Sequence, residues 1–210
     1  MAIDDFARIA AQTLSVYERN AARFDAERRK DICERDWLER FCGLVPSGGT
    51  VLDLGCGAGE PIGRYLMEQG YAITGVDFSE PMLAIARDRL PSARWLHADM
   101  RSLALGESFD GIVAWHSFFH LRPAEQRDVL RRLALHLRPG GALMLTVGPS
   151  AGEVIGRVGD DPVYHASLAP GEYTAALASL AIDVSVFETE DPGCGGSTIL
   201  LAHKRHAAAD

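Results

Sequence analysis

The chain has 210 residues, 47% of them hydrophobic and 24% charged, with a formal net charge of −8. That length can bury the core of a single domain, and the composition is that of a globular protein, not of a disordered one. The acidic balance gives a nucleic-acid partner no footprint to neutralise its phosphates, and no apolar run reaches the ~20 residues of a membrane span, so neither partner is expected.

The acidic start at Asp4 and Asp5 is unlike a signal peptide, which makes the expected setting cytoplasmic. The four cysteines, Cys33, Cys42, Cys56 and Cys194, show no C-x-x-C pair and no histidine at ligand spacing. They read as reduced thiols, with no metal site and no disulfide framework.

Residues 1–45 read as helices. Ile3, Phe6, Ile9, Ala10, Thr13 and Tyr17 share one helical face and Cys33, Trp37, Leu38 and Phe41 another, while Gly43 and Pro46 are stop signals. Tyr17 and Phe24 fit these helices as core aromatics. Two basic groups, Arg28-Arg29-Lys30 and Arg131-Arg132, fall in helical patterns and read as solvated faces.

Strand and helix then alternate. A buried apolar run from Thr50 to Leu54 ends in Gly55-Cys56-Gly57-Ala58-Gly59-Glu60-Pro61, and a helix from Pro61 towards Gln69 is stopped by Gly70. Glycines are needed where backbone turns with positive φ or comes close to a ligand, and proline suits a first helical position. A second strand, Tyr71 to Val76, ends at Asp77, after which Ser79 caps a helix that runs to Leu90 and is ended by Pro91. Strands follow at Ala93 to His97 and Phe109 to Ala114. Pro123 opens a helix ending at Leu137, and Arg138-Pro139-Gly140-Gly141 turns into a strand from Ala142 to Val147. This alternation implies a parallel sheet covered by helices on both faces.

Gly148 to Pro170 is a long connection with little regular pattern before Glu172, the length at which lids and binding loops occur. Ile182 to Glu188 and Ser197 to Ala202 then form two strands joined by a turn-rich stretch without a helix, so they pair antiparallel. Lys204 to Asp210 reads as a frayed tail.

The glycine spacing fails the dinucleotide fingerprint in both registers: Glu60 or Ile62 stands where the third glycine or alanine belongs. An anionic Glu60 at a helix start also disfavours a pyrophosphate. Asp77, ending the second strand, can accept bonds from both hydroxyls of a ribose or can serve simply as a helix-start carboxylate. The end of the fourth strand, Ala114-Trp115-His116-Ser117-Phe118-Phe119-His120-Leu121, lies where the strand order should reverse and a crevice open.

The acidic-x-Gly-x-Gly-x-Gly pattern from Asp53 to Gly59 resembles motif I of the class I S-adenosylmethionine-dependent methyltransferases, and Gly75-Val76-Asp77-Phe78-Ser79 and Asp99-Met100 resemble their next two motifs. Tyr17 to Asp25 resembles the Tyr-x-x-x-Ala-x-x-aromatic-Asp lead-in of small-molecule members. The resemblance implies a Rossmann-like three-layer α/β/α sandwich, its seven-stranded, mostly parallel sheet ending in an antiparallel hairpin. Within one domain over 1–210, residues 1–45 would be a helical cap, 46–204 the core and 205–210 a tail. It also implies S-adenosyl-L-methionine as cofactor and S-adenosyl-L-homocysteine as product. Asp53, Gly55, Cys56 and Gly57 would then line the cofactor, with Tyr17 over it and Asp77 on its ribose. Phe78 and Met100 would enclose adenine, Asp99 would meet the adenine amino group, and Ala114-Trp115 would supply a carbonyl.

The acceptor side is read from what surrounds that crevice. No Asn/Asp-Pro-Pro-aromatic motif, no Pro-Cys pair and no Asp/Asn ligand cluster is present, and Asn20 is the single asparagine. A small organic acceptor bounded by Trp115, His116, His120, Tyr164 and His165 is the expectation, the last two because Tyr164 to Leu168 resembles the segment by which related enzymes close over their acceptor. His116, His120 and His165 are the candidate bases, since an unperturbed imidazole titrates near neutrality. The rivals are an NAD-dependent oxidoreductase, disfavoured by Glu60, and a non-catalytic module that binds the methyl donor. Ala181-Ile182 stands where the family carries Gly-Phe after a helix, which weakens the expected helix stop. Oligomeric state leaves no sequence signature.

Overall fold

The computed structural model describes residues 3–28 and 32–206. The Ile3 side chain, Arg29, Lys30 and residues 207–210, to which the sequence reading assigned part of a helix face, part of a basic run and the end of a tail, lie outside the described residues. Aliphatic runs form the centre of the molecule. β1 (Thr50–Leu54) pairs in parallel with β2 (Ala72–Asp77) and with β4 (Phe109–Ala114). β3 (Arg94–His97) lies outside β2, and β5 (Leu137–Val147) lies outside β4. The last two strands of the sheet are antiparallel: β9 (Ser197–Lys204) pairs with β5, and β8 (Ile182–Asp191) pairs with β9. The order β3-β2-β1-β4-β5-β9-β8 is the expected seven-stranded mixed sheet with its terminal hairpin.

Alternation along β1 divides the core into two layers. Val51 packs with Trp37, Leu38 and Phe41 of α2 (Arg35–Cys42) and with Ile62, Tyr65 and Leu66 of α3 (Ile62–Glu68). Leu52 and Leu54 face α5 (Pro123–His136) and α6 (Pro170–Ser179) through Val129, Leu130, Leu133, Tyr173 and Leu177. On α4 (Glu80–Arg89), Leu83 and Ala86 pack on Cys56 and Trp95. Ser79 caps that helix, its hydroxyl accepting the Met82 N–H. The strand order reverses between β1 and β4, so the crevice of an open α/β sheet falls at their carboxyl ends.

Three expectations are corrected. The stretch read as an irregular connection contains a second sheet, β6 (Gly152–Val158) and β7 (Asp161–Ser167), paired antiparallel. Gly159-Asp160 joins them, with Gly159 at φ +57°, and glycine first in a two-residue hairpin loop was the available signal. β5 is assigned from Leu137, the pairing with β4 jumping from Leu137 to Ala142 so that the Arg138 to Gly141 turn is looped out of register. Nor does the tail begin at Lys204: its ammonium donates to the carbonyls of Ala134 and Leu137 at 2.7 and 2.8 Å.

The missing helix-stop glycine has a visible consequence. Ala181 turns the chain between α6 and β8 at φ +60°, a left-handed conformation in which its Cβ crowds the carbonyl. Ala181→Gly is expected to raise unfolding free energy by about 0.5–1 kcal/mol in denaturant titration, the relieved strain exceeding the entropy that glycine adds to the unfolded chain. A loss of stability would show that the position carries no strain.

α1 (Ile3–Glu27) closes the crevice. Its buried side chains meet three surfaces in turn: Ile9 packs on Tyr164 and Ala166, Val16 on Val158 and Val163, and Ala21 on Ala58 and Met82. The helix therefore bridges the β6–β7 hairpin and the glycine turn.

Candidate active site

A cavity of about 350 Å³ opens at the carboxyl ends of β1, β2 and β4, beneath α1. Its floor is the glycine turn. Gly55, Gly57 and Gly59 have φ of +75°, +53° and +79°, values that side chains resist, and the Gly55 N–H donates to the Val76 carbonyl at 2.7 Å. A Cβ on Gly55 would lie 2.2 Å from Cβ of Ser117, whereas one on Gly57 would meet nothing within 4 Å. Gly57 thus presents open backbone to the cavity. Cys56 packs its side chain into the Trp95 cluster, so what it gives the turn is backbone: its N–H donates to Val76.

Asp77 ties this turn to the end of β2. Its carboxylate accepts the Gly57 N–H and the Ser79 N–H, both at 2.8 Å. A carboxylate has about four acceptor positions, so two remain. Burial pushes its pKa up, and the backbone N–H groups of Ser79, Gly57 and Phe78, the first two hydrogen-bonded to it, partly oppose that.

Asp53 is 2% exposed and lines the same cavity. Burial first, and the charge of Asp77 second, push it up to about 7, with Arg28 pulling the other way. Arg28 departs from its expected place. It lies at the cavity wall instead of on a solvated face, its guanidinium 3.4 Å from Glu34 and its side chain 21% exposed. No periodicity marks it. Cavity-facing acid and base stand together here, a pattern suited to a zwitterion.

Glu60 also differs from expectation. Its carboxylate pairs with Arg64 and, at 3.0 Å, with Arg89, so its charge is neutralised at the side of the turn. Arg89 binds Asp25 of α1 as well, at 2.8 and 2.7 Å. The acid left to repel a pyrophosphate is Asp53, and Arg89 anchors α1 to the turn.

Phe78, Asp99 and Met100 line the other end of the cavity. Asp99 is not a free acceptor. Arg101 donates to it from Nε at 3.0 and 2.9 Å, from Nη2 at 2.6 Å and from its backbone N–H at 2.8 Å. Burial raises the Asp99 pKa, but the Arg101 bonds outweigh it and hold the carboxyl below its usual range. The Arg101 guanidinium also lies 3.6 Å from Glu125.

Beyond β4 the predicted residues separate. Ala114 is buried on the α5 side and its side chain does not line the cavity; Trp115 and His116 do. Trp115 is 4% exposed and its indole N–H has no partner among the described residues. His116 sits at φ +51°, its N–H donating to Thr146 Oγ1 at 2.6 Å and its Nε2 lying 3.0 Å from Ser197 Oγ. Burial, then Arg28 and His165, push it down to about 4. His120 lines the cavity with both ring nitrogens engaged, Nδ1 at 2.8 Å from the Tyr164 carbonyl and Nε2 at 2.9 Å from the Tyr17 hydroxyl.

Tyr164 and His165 stand apart from the other candidates. Neither lines the cavity. The Tyr164 ring packs beneath α1 against Phe6, 6.2 Å between centroids, and its hydroxyl donates to Glu153. His165 meets Phe119 edge-on at 4.7 Å and His120 at a tilt at 4.9 Å, over Gly156. Both belong to β7, whose alternation puts one residue under α1 and the next towards Phe119.

A family profile described as a methyltransferase domain matches residues 51–141. A dTDP-3-amino-3,6-dideoxy-alpha-D-glucopyranose N,N-dimethyltransferase of Streptomyces fradiae is 35% identical over 102 residues, 48% of this chain and 40% of that protein. A trans-aconitate 2-methyltransferase of Azoarcus sp. is 34% identical over 146 residues, 69% of this chain and 53% of that protein. The matches therefore span about half the length of these relatives, or less. Among solved structures, the DhpI–SAH complex superposes with a TM-score of 0.73 at 20% identity, covering 94% of this chain and 97% of that one, a likeness of fold. No described helix is long and apolar enough to cross a membrane.

Proposed function

Because this chain carries a class I S-adenosylmethionine-dependent methyltransferase domain, we propose that it transfers a methyl group from S-adenosyl-L-methionine to a small organic acceptor. The observation that carries the reading is the floor of the cavity: a left-handed glycine with open space above it, flanked by the buried carboxylate of Asp53 and the half-buried one of Asp77. A ligand that is a cationic amino acid joined to a nucleoside fits those groups, whereas a pyrophosphate would meet Asp53. When bound, the cofactor supplies an electrophilic sulfonium methyl, so the protein's task is alignment and the handling of one proton.

Asp77 holds the ribose hydroxyls with its two remaining acceptor positions. Asp53 receives the ammonium of the amino-acid part and Arg28 its carboxylate, while Phe78 and Met100 enclose the base. His116 is the candidate proton acceptor because it lines the cavity; burial pushes it down to about 4, which keeps the ring neutral but makes it a weak base, suited to an acceptor whose proton is readily lost. Acceptors as different as a sugar amine and a tricarboxylic acid occur among the named relatives, which supports a small molecule without fixing its class.

Calorimetry with S-adenosylhomocysteine and with NAD tests the reading; heat from NAD and none from the thioether would overturn it. Among the three candidate histidines, His116→Ala is expected to cost ~10²–10⁴ in kcat on an acceptor that must lose a proton. An unimpaired rate would remove His116 from proton transfer.

Asp53 gives a pH prediction. Its folded pKa is raised, so between about pH 4 and 7 the folded chain holds a proton that the unfolded chain releases, and stability falls as pH rises through that window. Asp53→Asn is expected to raise the Tm of the ligand-free protein at about pH 7.5 and leave it nearly unchanged at about pH 4. A ligand ammonium beside Asp53 favours the ionised form, so binding near pH 6.5, between about pH 6 and 7, should release a proton and give calorimetric heats that depend on the buffer. Buffer-independent heats would take Asp53 out of contact.

A further inference from the structure

We propose that His120 is a positioning residue, one that locks the Tyr17 hydroxyl so that only oxygen lone pairs face the methyl-transfer site. This rests on the reading above. The hydrogen bonds assign the protons. A backbone carbonyl can only accept, so the 2.8 Å contact between His120 Nδ1 and the Tyr164 oxygen places a hydrogen on Nδ1. Burial pushes this imidazole down to about 3, although the Tyr164 bond raises it, so the ring is neutral and Nε2 is bare. The partner of Nε2 at 2.9 Å, the Tyr17 hydroxyl, must therefore be the donor.

With its one proton committed, the phenol oxygen can offer the cavity only acceptor positions. Rotation is checked as well, the Tyr17 ring standing edge-on to Phe24 at 5.4 Å and to His120 at 5.1 Å. Burial and the neighbouring Asp77 push the Tyr17 pKa up, with Arg28 opposing, so the phenol keeps its proton. The charged and titratable groups around the pair are Asp77 and Arg28 on the Tyr17 side and His165 and His116 on the His120 side. An oxygen restricted to accepting suits the polarised C–H groups of a cationic methyl and disfavours an anion. The device spans three elements: α1 supplies the oxygen, the turn after β4 the imidazole, and β7 the carbonyl that fixes the tautomer. This gives the β6–β7 hairpin a part in alignment although none of its side chains lines the cavity.

Nitrogen-15 spectra of histidine in the ligand-free protein read the tautomer directly. A neutral ring protonated on Nδ1 from pH 5 to 8, a window that reaches well below the usual imidazole pKa of about 6.5, is expected; an Nε2–H tautomer or a cationic ring at neutrality overturns the inference. Tyr17→Phe and His120→Leu should each reduce the preference for S-adenosylmethionine over S-adenosylhomocysteine by roughly 3- to 10-fold, with the double variant no worse than either. His120→Gln, whose side-chain oxygen can accept the Tyr17 proton but cannot act as an imidazole base, should keep most of the wild-type kcat. A His120→Gln enzyme as slow as His120→Leu, with a rate limb at an imidazole pKa, would make His120 a base and overturn the assignment. If the wild-type protein binds neither ligand, the methyl-transfer reading itself falls. If it binds both and Tyr17→Phe leaves their ratio unchanged, this inference alone fails.

Discussion

Asp77→Ala is expected to weaken S-adenosylhomocysteine binding by about 1.5–3 kcal/mol, roughly 10- to 150-fold, because the lost contacts are hydrogen bonds to an ionised partner. The geometry adds a second component. Asp77 also accepts the Gly57 and Ser79 N–H groups, so its removal leaves two backbone donors without their carboxylate and loosens the turn itself. Thermal unfolding without ligand isolates that part, and a fall of a few degrees is expected. Asp77→Asn separates the two effects further, since its oxygen can keep one N–H while its amide group opposes the other. Affinity unchanged in the alanine variant would remove Asp77 from the site, whatever happened to the Tm.

The parts of this protein that were legible in one dimension are those whose chemistry depends on spacing. Three alternating glycines after an apolar strand, an aspartate ending the next strand and a hairpin without a helix each carry their own local rule, and together they gave the sheet and its crevice. Arg28 was illegible because its role depends on where α1 crosses the cavity, and a basic residue near a helix end looks the same on a solvated face. Asp99 was read as a free acceptor because the bidentate grip of Arg101 is a matter of rotamer, which sequence does not record. That Tyr164 and His165 stand outside the cavity lining follows from one missed turn: read as a loop, the segment can place any side chain in the crevice, whereas β7 fixes the facing of each by alternation.

Gly55→Ala and Gly57→Ala should separate folding from binding within a single turn. At Gly55 the new methyl would stand 2.2 Å from Cβ and 2.7 Å from Oγ of Ser117, whose hydroxyl donates to the Leu54 carbonyl at 2.6 Å. Neither neighbour is the loose end of a long side chain, so relief requires moving the backbone that carries Trp115, His116 and His120. Adding the cost of φ +75° to that overlap, a loss of about 3–5 kcal/mol in unfolding free energy is expected, enough to unfold a marginal domain. At Gly57 a Cβ meets nothing within 4 Å and φ is +53°, so strain alone should cost about 1–2 kcal/mol and the variant should fold. Its methyl instead takes up space at the cavity floor, and S-adenosylhomocysteine affinity should fall by roughly 10-fold or more in calorimetry. If the order of severity in denaturant titration were reversed, or if Gly57→Ala bound the ligand as well as the wild type does, the open backbone at Gly57 would not be the surface on which the cofactor rests.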